Sequence, residues 1–301
     1  MRLLILIFVL SFSLKCEAQI IRANPFYIQK TMGVSLLLDT YTGAKVAVSL
    51  RKLRNAYTGS AVRVRRSSDN AEQDIGFNGA NEIDTAVLKT FIGADTGYVV
   101  KWYDQSGNAN DASQSTTTQQ GAIVISGAVQ RTNGKVSVYF DGDDAYNTAT
   151  VSLNTYLYIS AIFKASNNFI IAEHGTNAYA NGNGFFYFTD VNSSWFFSRS
   201  NAFYYCSGSN SWAGTNQVLT TLSNNSSGAA YYKNGVVQNN GTVTGSSLSN
   251  TSYTDNIYLW SRANTSLIIS GYAQETIIWD KDMASDRAAV ELNTNTFYSI
   301  Y

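Results

Sequence analysis

The sequence predicts an all-β sandwich, and three observations point there. The composition is poor in charge and rich in Tyr, Phe, Asn, Ser, Thr and Gly. Aromatic residues favour strands, and Asn, Gly and Ser supply turns. From about Gly121 onward, short apolar or alternating runs follow one another at 122–125, 136–140, 157–163, 169–172, 185–188, 195–198, 217–223, 229–233, 236–238, 257–261 and 268–278. Clusters of Gly, Asn or Ser separate them, the pattern of a sandwich or jelly roll. Helical spacing is confined to three short stretches.

The first residues read as a secretory leader. Arg2 supplies the charge, Leu3 to Leu14 the apolar run, and Ala18 the small residue before a cut. The run is about a dozen residues, short of the roughly 20 that span a bilayer, and no other stretch is long enough. The expected organisation is a leader over 1–18, an N-terminal extension over 19–45 and a single domain over 46–301. The expected location is outside the cell. Removal of the leader leaves Cys206 as the single cysteine, so no internal disulfide is expected.

Within the domain, apolar residues at 46, 50, 53 and 57 predict a helix over 46–57. Ala61, Val62 and Val64 predict a strand with Arg63 and Arg65 on its other face. A second short helix is predicted over 83–92, with Asn81 as a possible cap and Gly93 as its stop. Tyr98 to Tyr103 reads as a strand ending in the turn Asp104-Gln105-Ser106-Gly107. A last helix is predicted over 285–298, capped by Ser285. Lys and Arg number 21, as do Asp and Glu, so there is no net attraction to nucleic acid. The local RKLR and RVRR clusters neighbour Asp69, Glu72 and Asp74. There is no metal-spaced Cys/His cluster, no G-x-S-x-G elbow and no phosphate loop. No cofactor or metal is expected.

The order SLRKLRNAYTG, RRSSD, WYDQSG resembles the catalytic domain of α-L-arabinofuranosidase B over roughly 46–145. Three later motifs resemble concanavalin A-like jelly rolls of the laminin-G type over about 136–301. They are Tyr139-Phe140-Asp141-Gly142-Asp143-Asp144, Tyr231-Tyr232-Lys233-Asn234-Gly235, and the closing strand Ser270 to Ile278. In the second, Asn-Gly favours a type I′ turn. Both resemblances imply the same sandwich class and a carbohydrate partner, with an arabinose-containing polysaccharide as the first candidate.

A retaining glycosidase needs two carboxylates about 5–5.5 Å apart. The resemblance implies that the nucleophile would fall near Gly184-Phe185-Phe186-Tyr187, where phenylalanines stand. It implies that the acid/base would fall at Asn264, whose amide cannot exchange a proton at neutral pH. Glu173 and Asp190 are the candidate substitutes, with turn or surface carboxylates as the alternative. Trp102, Trp195, Trp212 and Trp260 are candidate sugar platforms or else core, and Arg262 and Asn264 are candidate polar contacts. Asp104 is either a turn cap or a substrate contact. Asp141, Asp143 and Asp144 read as a turn cap sooner than a calcium site. Glu275 reads as a structural hydrogen-bond acceptor. The expected function is extracellular carbohydrate recognition with a degraded catalytic pair. An active α-L-arabinofuranosidase and a protein-binding adhesion module are the rivals.

Overall fold

The computed structural model describes residues 35–154, 156–176, 184–189, 194–199, 202–207, 216–238, 243–244 and 252–301, with backbone alone for 194–199, 202–207 and 243–244. Leu36–Tyr301 form one compact unit. Its core is the space between two antiparallel sheets.

The front sheet is organised by Ser270–Trp279. Ala44–Ser49 and Val138–Asp141 pair in succession along one edge of that strand, and Leu157–Ala165 pairs along the other. Val218–Asn225, Gly228–Lys233 and Val236–Val237 continue outward. The last connection is the expected type I′ turn, with Asn234 at φ 51° and Gly235 at φ 78°. The back sheet runs through Ala112–Ser113, Tyr146–Leu153, Tyr253–Leu259, Phe169–His174, Phe185–Thr189, Ser194–Arg199, Ala202–Ser207 and Val243–Thr244. A smaller ladder of Glu72–Ile75, Val62–Arg66, Gly97–Trp102 and Ala122–Ile125 joins both, through Tyr139 opposite Ala122 and Lys101 opposite Ser113.

Alternation explains the layers. Val46, Val48, Ile159, Ala161, Leu222 and Ile278 of the front sheet face the back sheet. Ala47, Tyr158, Ile277 and Trp279 face the opposite way and pack with Leu37, Leu38 and Val290. Val290 lies on the C-terminal helix Arg287–Tyr298, so that helix forms a third layer.

The helix expected over 46–57 is not formed. Ala44–Ser49 is a buried strand, because the β-branched Val46 and Val48 reach the core at period two and Ala47 the other face. Pairing with the closing strand outweighs a sparse 3.6-residue pattern. The unit also begins earlier than residue 46, since Leu37 and Leu38 are buried under the front sheet. The expected helix at 83–92 forms over Thr85–Ile92 and stops at Gly93 (φ 65°). Its cap is Asp84, which accepts from the N–H groups of Ala86 and Val87. Asn81 serves a preceding turn at φ 62°. The C-terminal helix starts beyond Ser285, and Asp286 at its N-cap makes no side-chain cap.

Glu275 holds the layers together. It is fully buried and accepts from Ser49 Oγ (2.7 Å), Arg51 Nε (2.8 Å), Arg51 Nη2 (3.0 Å) and the Tyr298 hydroxyl (3.3 Å). Arg51 also donates to Asn293 and Thr294 of the helix. The expected structural role of Glu275 is thus met with every oxygen satisfied, which is what a buried charge requires.

Candidate functional site

The back sheet turns one face to the core and the other outward. Tyr146, Ile257, Leu259 and Phe185 point in. Their chain neighbours Asn147, Tyr258 and Phe186, together with Glu173, form a cross-strand row on the outer face. The register sets Asn147 opposite Tyr258, Tyr258 opposite Glu173, and Glu173 opposite Phe186. Glu173 is nevertheless fully buried. The turn after Tyr253–Leu259 brings Arg262 to it, with Nε 3.8 Å from Oε1.

That turn has an unusual backbone. Trp260, Ala263, Asn264 and Leu267 all have positive φ, between 46° and 60°. Asn tolerates the left-handed region, whereas Trp and Leu there store strain, which concentrates at functional sites. The turn is fastened by Arg262 N–H to Ser266 O and by Thr265 N–H to Arg262 O. Asn264 donates its amide to Asn147 Oδ1 at 2.9 Å and accepts from Ser261 Oγ at 3.2 Å. The amide therefore ties the turn to the row. The Tyr258 hydroxyl lies 3.3 Å from Thr176 Oγ1. The result is a carboxylate, a guanidinium, two amides and a phenol on one sheet face. This is a hydrogen-bonding array of the kind that fixes sugar hydroxyls.

Of the residues singled out from sequence, Glu173, Arg262 and Asn264 come together here. Asn147 and Tyr258 were missed. The strand Tyr146–Leu153 carries a weak alternation and was not recognised, so neither its face nor its register was available.

Trp102 and Trp260 do not line this site. Both are fully buried, with ring centroids 5.1 Å apart, in a cluster with Phe140 and Tyr146. Alternation along Gly97–Trp102 and the turn at Trp260 send both indoles into the core, so neither offers a face to a ligand. Asp104 is also consumed structurally. It is 4% exposed and accepts from Ala47 N, Ser106 N, Ser106 Oγ and Asn110 N. Burial raises its carboxyl above the usual range, and these bonds oppose the shift. Asp190, Trp212 and the side chain of Trp195 lie outside the described residues, as does that of Cys206.

The Asp141-Gly142-Asp143-Asp144 turn behaves as a cap, with Asp144 Oδ2 accepting from Asp141 N. Its three carboxylates lie within 4.8 Å of one another. Burial, reinforced by Asp141 and Asp143, pushes Asp144 up to about 7. In the RVRR cluster Arg63 and Arg66 are paired locally, whereas Arg51 of the RKLR cluster pairs with Glu275. Arg63 makes a bidentate hydrogen bond to Asp74 and lies 3.9 Å from Glu72, and Arg66 makes a bidentate hydrogen bond to Asp69. Among the described residues, no helix is long and apolar enough to cross a membrane.

Residues 40–188 match the family model for the catalytic domain of α-L-arabinofuranosidase B. No curated protein matches in sequence. A glutamate-to-glutamine mutant of a GH54 α-L-arabinofuranosidase, soaked with 4-nitrophenyl α-L-arabinofuranoside, aligns at TM-score 0.66 and 15% identity. A GH54 α-L-arabinofuranosidase soaked with a cyclic sulfate inhibitor aligns at 0.65 and 14%. An arabinofuranosidase complexed with arabinofuranosyl-α-1,2-xylobiose aligns at 0.54 and 14%. Each alignment covers 85% of this chain and 63% of the other, so this chain spans less than two thirds of those structures. At such identities the likeness shows the fold. The chain therefore resembles the α-L-arabinofuranosidase B catalytic domain, in sequence over residues 40–188 and in fold over most of its length.

Proposed function

We propose that this protein recognises an arabinose-containing glycan outside the cell, through the outer face of the back sheet at Glu173, Arg262, Asn264, Asn147 and Tyr258. The observation that supports this most is the Asn264 amide. It stands at the position where the resemblance expects a proton-transferring carboxyl, and it is engaged with Asn147 and Ser261. An amide there binds hydroxyls and transfers no proton. The strained turn from 260 to 267 is consistent with a built site. Export by the leader over 1–18 belongs to the same reading.

Hydrolysis is the second reading, favoured by Glu173, a fully buried carboxylate beside an arginine at the centre of the row. It requires a partner carboxyl, for which Asp190 remains the candidate.

Calorimetry with arabino-oligosaccharides, run beside turnover of 4-nitrophenyl α-L-arabinofuranoside, separates the readings. Binding without turnover is expected, weakened more than about tenfold in Glu173→Gln and in Arg262→Ala, since truncating one partner of a buried charged pair is costly. Turnover abolished by Glu173→Gln would establish the hydrolase instead. No binding and no turnover would leave the adhesion reading.

A further inference from the structure

We propose that the glycan site extends beyond the Glu173 row into an adjoining apolar subsite, built by Leu267, Ile170 and Phe188, which holds the C–H face of the next neutral sugar along the chain. This rests on the reading of the Glu173 row as a glycan site. It names what that site selects, an oligosaccharide in preference to a single sugar.

The subsite follows from a bulge in Phe169–His174. The register shifts between Ile170 and Ala172, and Ile171 and Ala172 both belong to the core. Ile170 and Glu173 are thereby left on the outer face. Glu173 lies opposite Phe186, and Ile170 lies opposite Phe188. On its other side Ile170 donates its N–H to the Leu267 carbonyl at 2.9 Å. Leu267, Ile170 and Phe188 therefore form a second row beside Asn147, Tyr258, Glu173 and Phe186. Phe186 and Phe188 sit on one strand with a single residue between them, so the rows are about 7 Å apart at roughly 3.4 Å per residue.

Strain at Leu267 gives its side chain a use. Leu267 has φ 46°, where a bulky side chain crowds its own backbone. The conformation is held along the turn: Ser266 O accepts from Arg262 N, Leu267 O from Ile170 N, and Ile268 O from Asn167 Nδ2 at 2.6 Å. Burial does not repay the strain, since Leu267 remains 37% exposed. A lone exposed leucine is ordinary on a protein surface, whereas a strained one marks a functional position. Glycine or asparagine would fit this backbone at lower cost, as Asn264 does in the same turn.

The chemistry of the two rows selects the occupant. Ile170 is 2% exposed yet belongs to none of the core clusters, so it is a floor covered from the outer side. Phe188 is half-buried and Leu267 exposed, so an aromatic ring and a branched alkyl group border that floor. The row carries no charge and offers no hydrogen bond from a side chain, which suits the C–H groups of a neutral sugar. The hydroxyls of the preceding sugar meet Arg262, Asn264, Asn147 and Tyr258 in the polar row. Both rows lie on one sheet face, so a chain of two or more sugars covers them without a break.

The test is calorimetry and ligand-observed NMR titration of the full chain with methyl α-L-arabinofuranoside and with arabinotriose. The triose is expected to bind about tenfold or more tightly than the monosaccharide. Leu267→Asn should narrow that preference several-fold and leave monosaccharide affinity unchanged. It should also raise the melting temperature by about 2–4 °C, because strain is released. A leucine with only a packing role would do the opposite, lowering the melting temperature and sparing the preference. Phe188→Leu keeps an apolar side chain and should narrow the preference too, with a thermal melt to show that it is folded. Arg262→Ala should weaken both ligands alike, since it acts in the polar row. Equal affinity of the native protein for both sugars, or a preference untouched by Leu267→Asn and Phe188→Leu, overturns the subsite and leaves the Glu173 row in place. Monosaccharide binding lost in Leu267→Asn overturns it as well, because Leu267 would then shape the turn alone. No binding of either sugar overturns both readings.

Discussion

Replacing Glu275 by Gln tests how the three layers are joined. The side chain keeps its volume, so packing is nearly unchanged and the loss isolates the charge. In the native protein the carboxylate accepts four hydrogen bonds, at 2.7, 2.8, 3.0 and 3.3 Å. The Arg51 side chain is 6% exposed and that of Glu275 is 0% exposed. A glutamine offers one acceptor oxygen and presents an NH2 group to a guanidinium that can only donate. Arg51 is left as a buried, uncompensated cation, which costs about 3–5 kcal/mol. Against a total stability of about 5–15 kcal/mol this is a large share. The measurement is urea unfolding followed by tryptophan fluorescence and by far-UV dichroism, with coincident transitions and an unchanged m-value. Arg51→Met with Glu275→Met removes both charges and should lose less than Glu275→Gln alone. A loss below about 1 kcal/mol in Glu275→Gln would refute the argument, as would a double variant less stable than the single one.

Three further outcomes follow from the geometry. Asp144 has a folded pKa of about 7 against an ordinary 3.8, with burial as the main cause. The protein should therefore lose stability as pH rises from about 4 to about 7, and Asp144→Asn should flatten that part of a Tm–pH profile; parallel profiles would contradict it. Gly271 has φ 147°, and a Cβ there would meet the Lys164 carbonyl oxygen at 2.0 Å. Gly271→Ala should thus lower stability by more than about 1 kcal/mol in urea unfolding, beyond the gain from a stiffer unfolded chain. Trp102→Ala should cost about 3–5 kcal/mol in the same assay and leave glycan affinity per folded molecule unchanged. Lost affinity in a folded variant would return Trp102 to the site.

Most of the front sheet was legible because its strands are long, apolar and separated by turn residues. The Asn234-Gly235 hairpin and the closing strand carry their own chemistry. Ala44–Ser49 and Tyr146–Leu153 were not legible. The first carries apolar residues on both faces, since a helix-covered sheet buries both, and this blurs its period. The second alternates Tyr146, Thr148, Val151 and Leu153 inward across a register shift between Asn147 and Thr150, which breaks the pattern. The site shows the same limit. Glu173, Arg262 and Asn264 stood out as polar residues at strand ends, whereas Asn147 looked like any other polar strand residue.

Local chemistry in the sequence was enough to determine the sandwich class, a short helix near 83–92, the Asn-Gly turn and the resemblance of roughly residues 46–145 to the α-L-arabinofuranosidase B catalytic domain, which the family model matches over 40–188. Tertiary structure decided which way each side chain faces. It sent Trp102 and Trp260 into the core, spent Asp104 on backbone N–H groups, and gave Glu275 its arginine. It also brought Leu267 beside Ile170 and Phe188, which lie far from it in sequence. The physical reason is that facing depends on register between strands distant in the chain. Register is fixed by the sum of many pairings, and no single segment carries it.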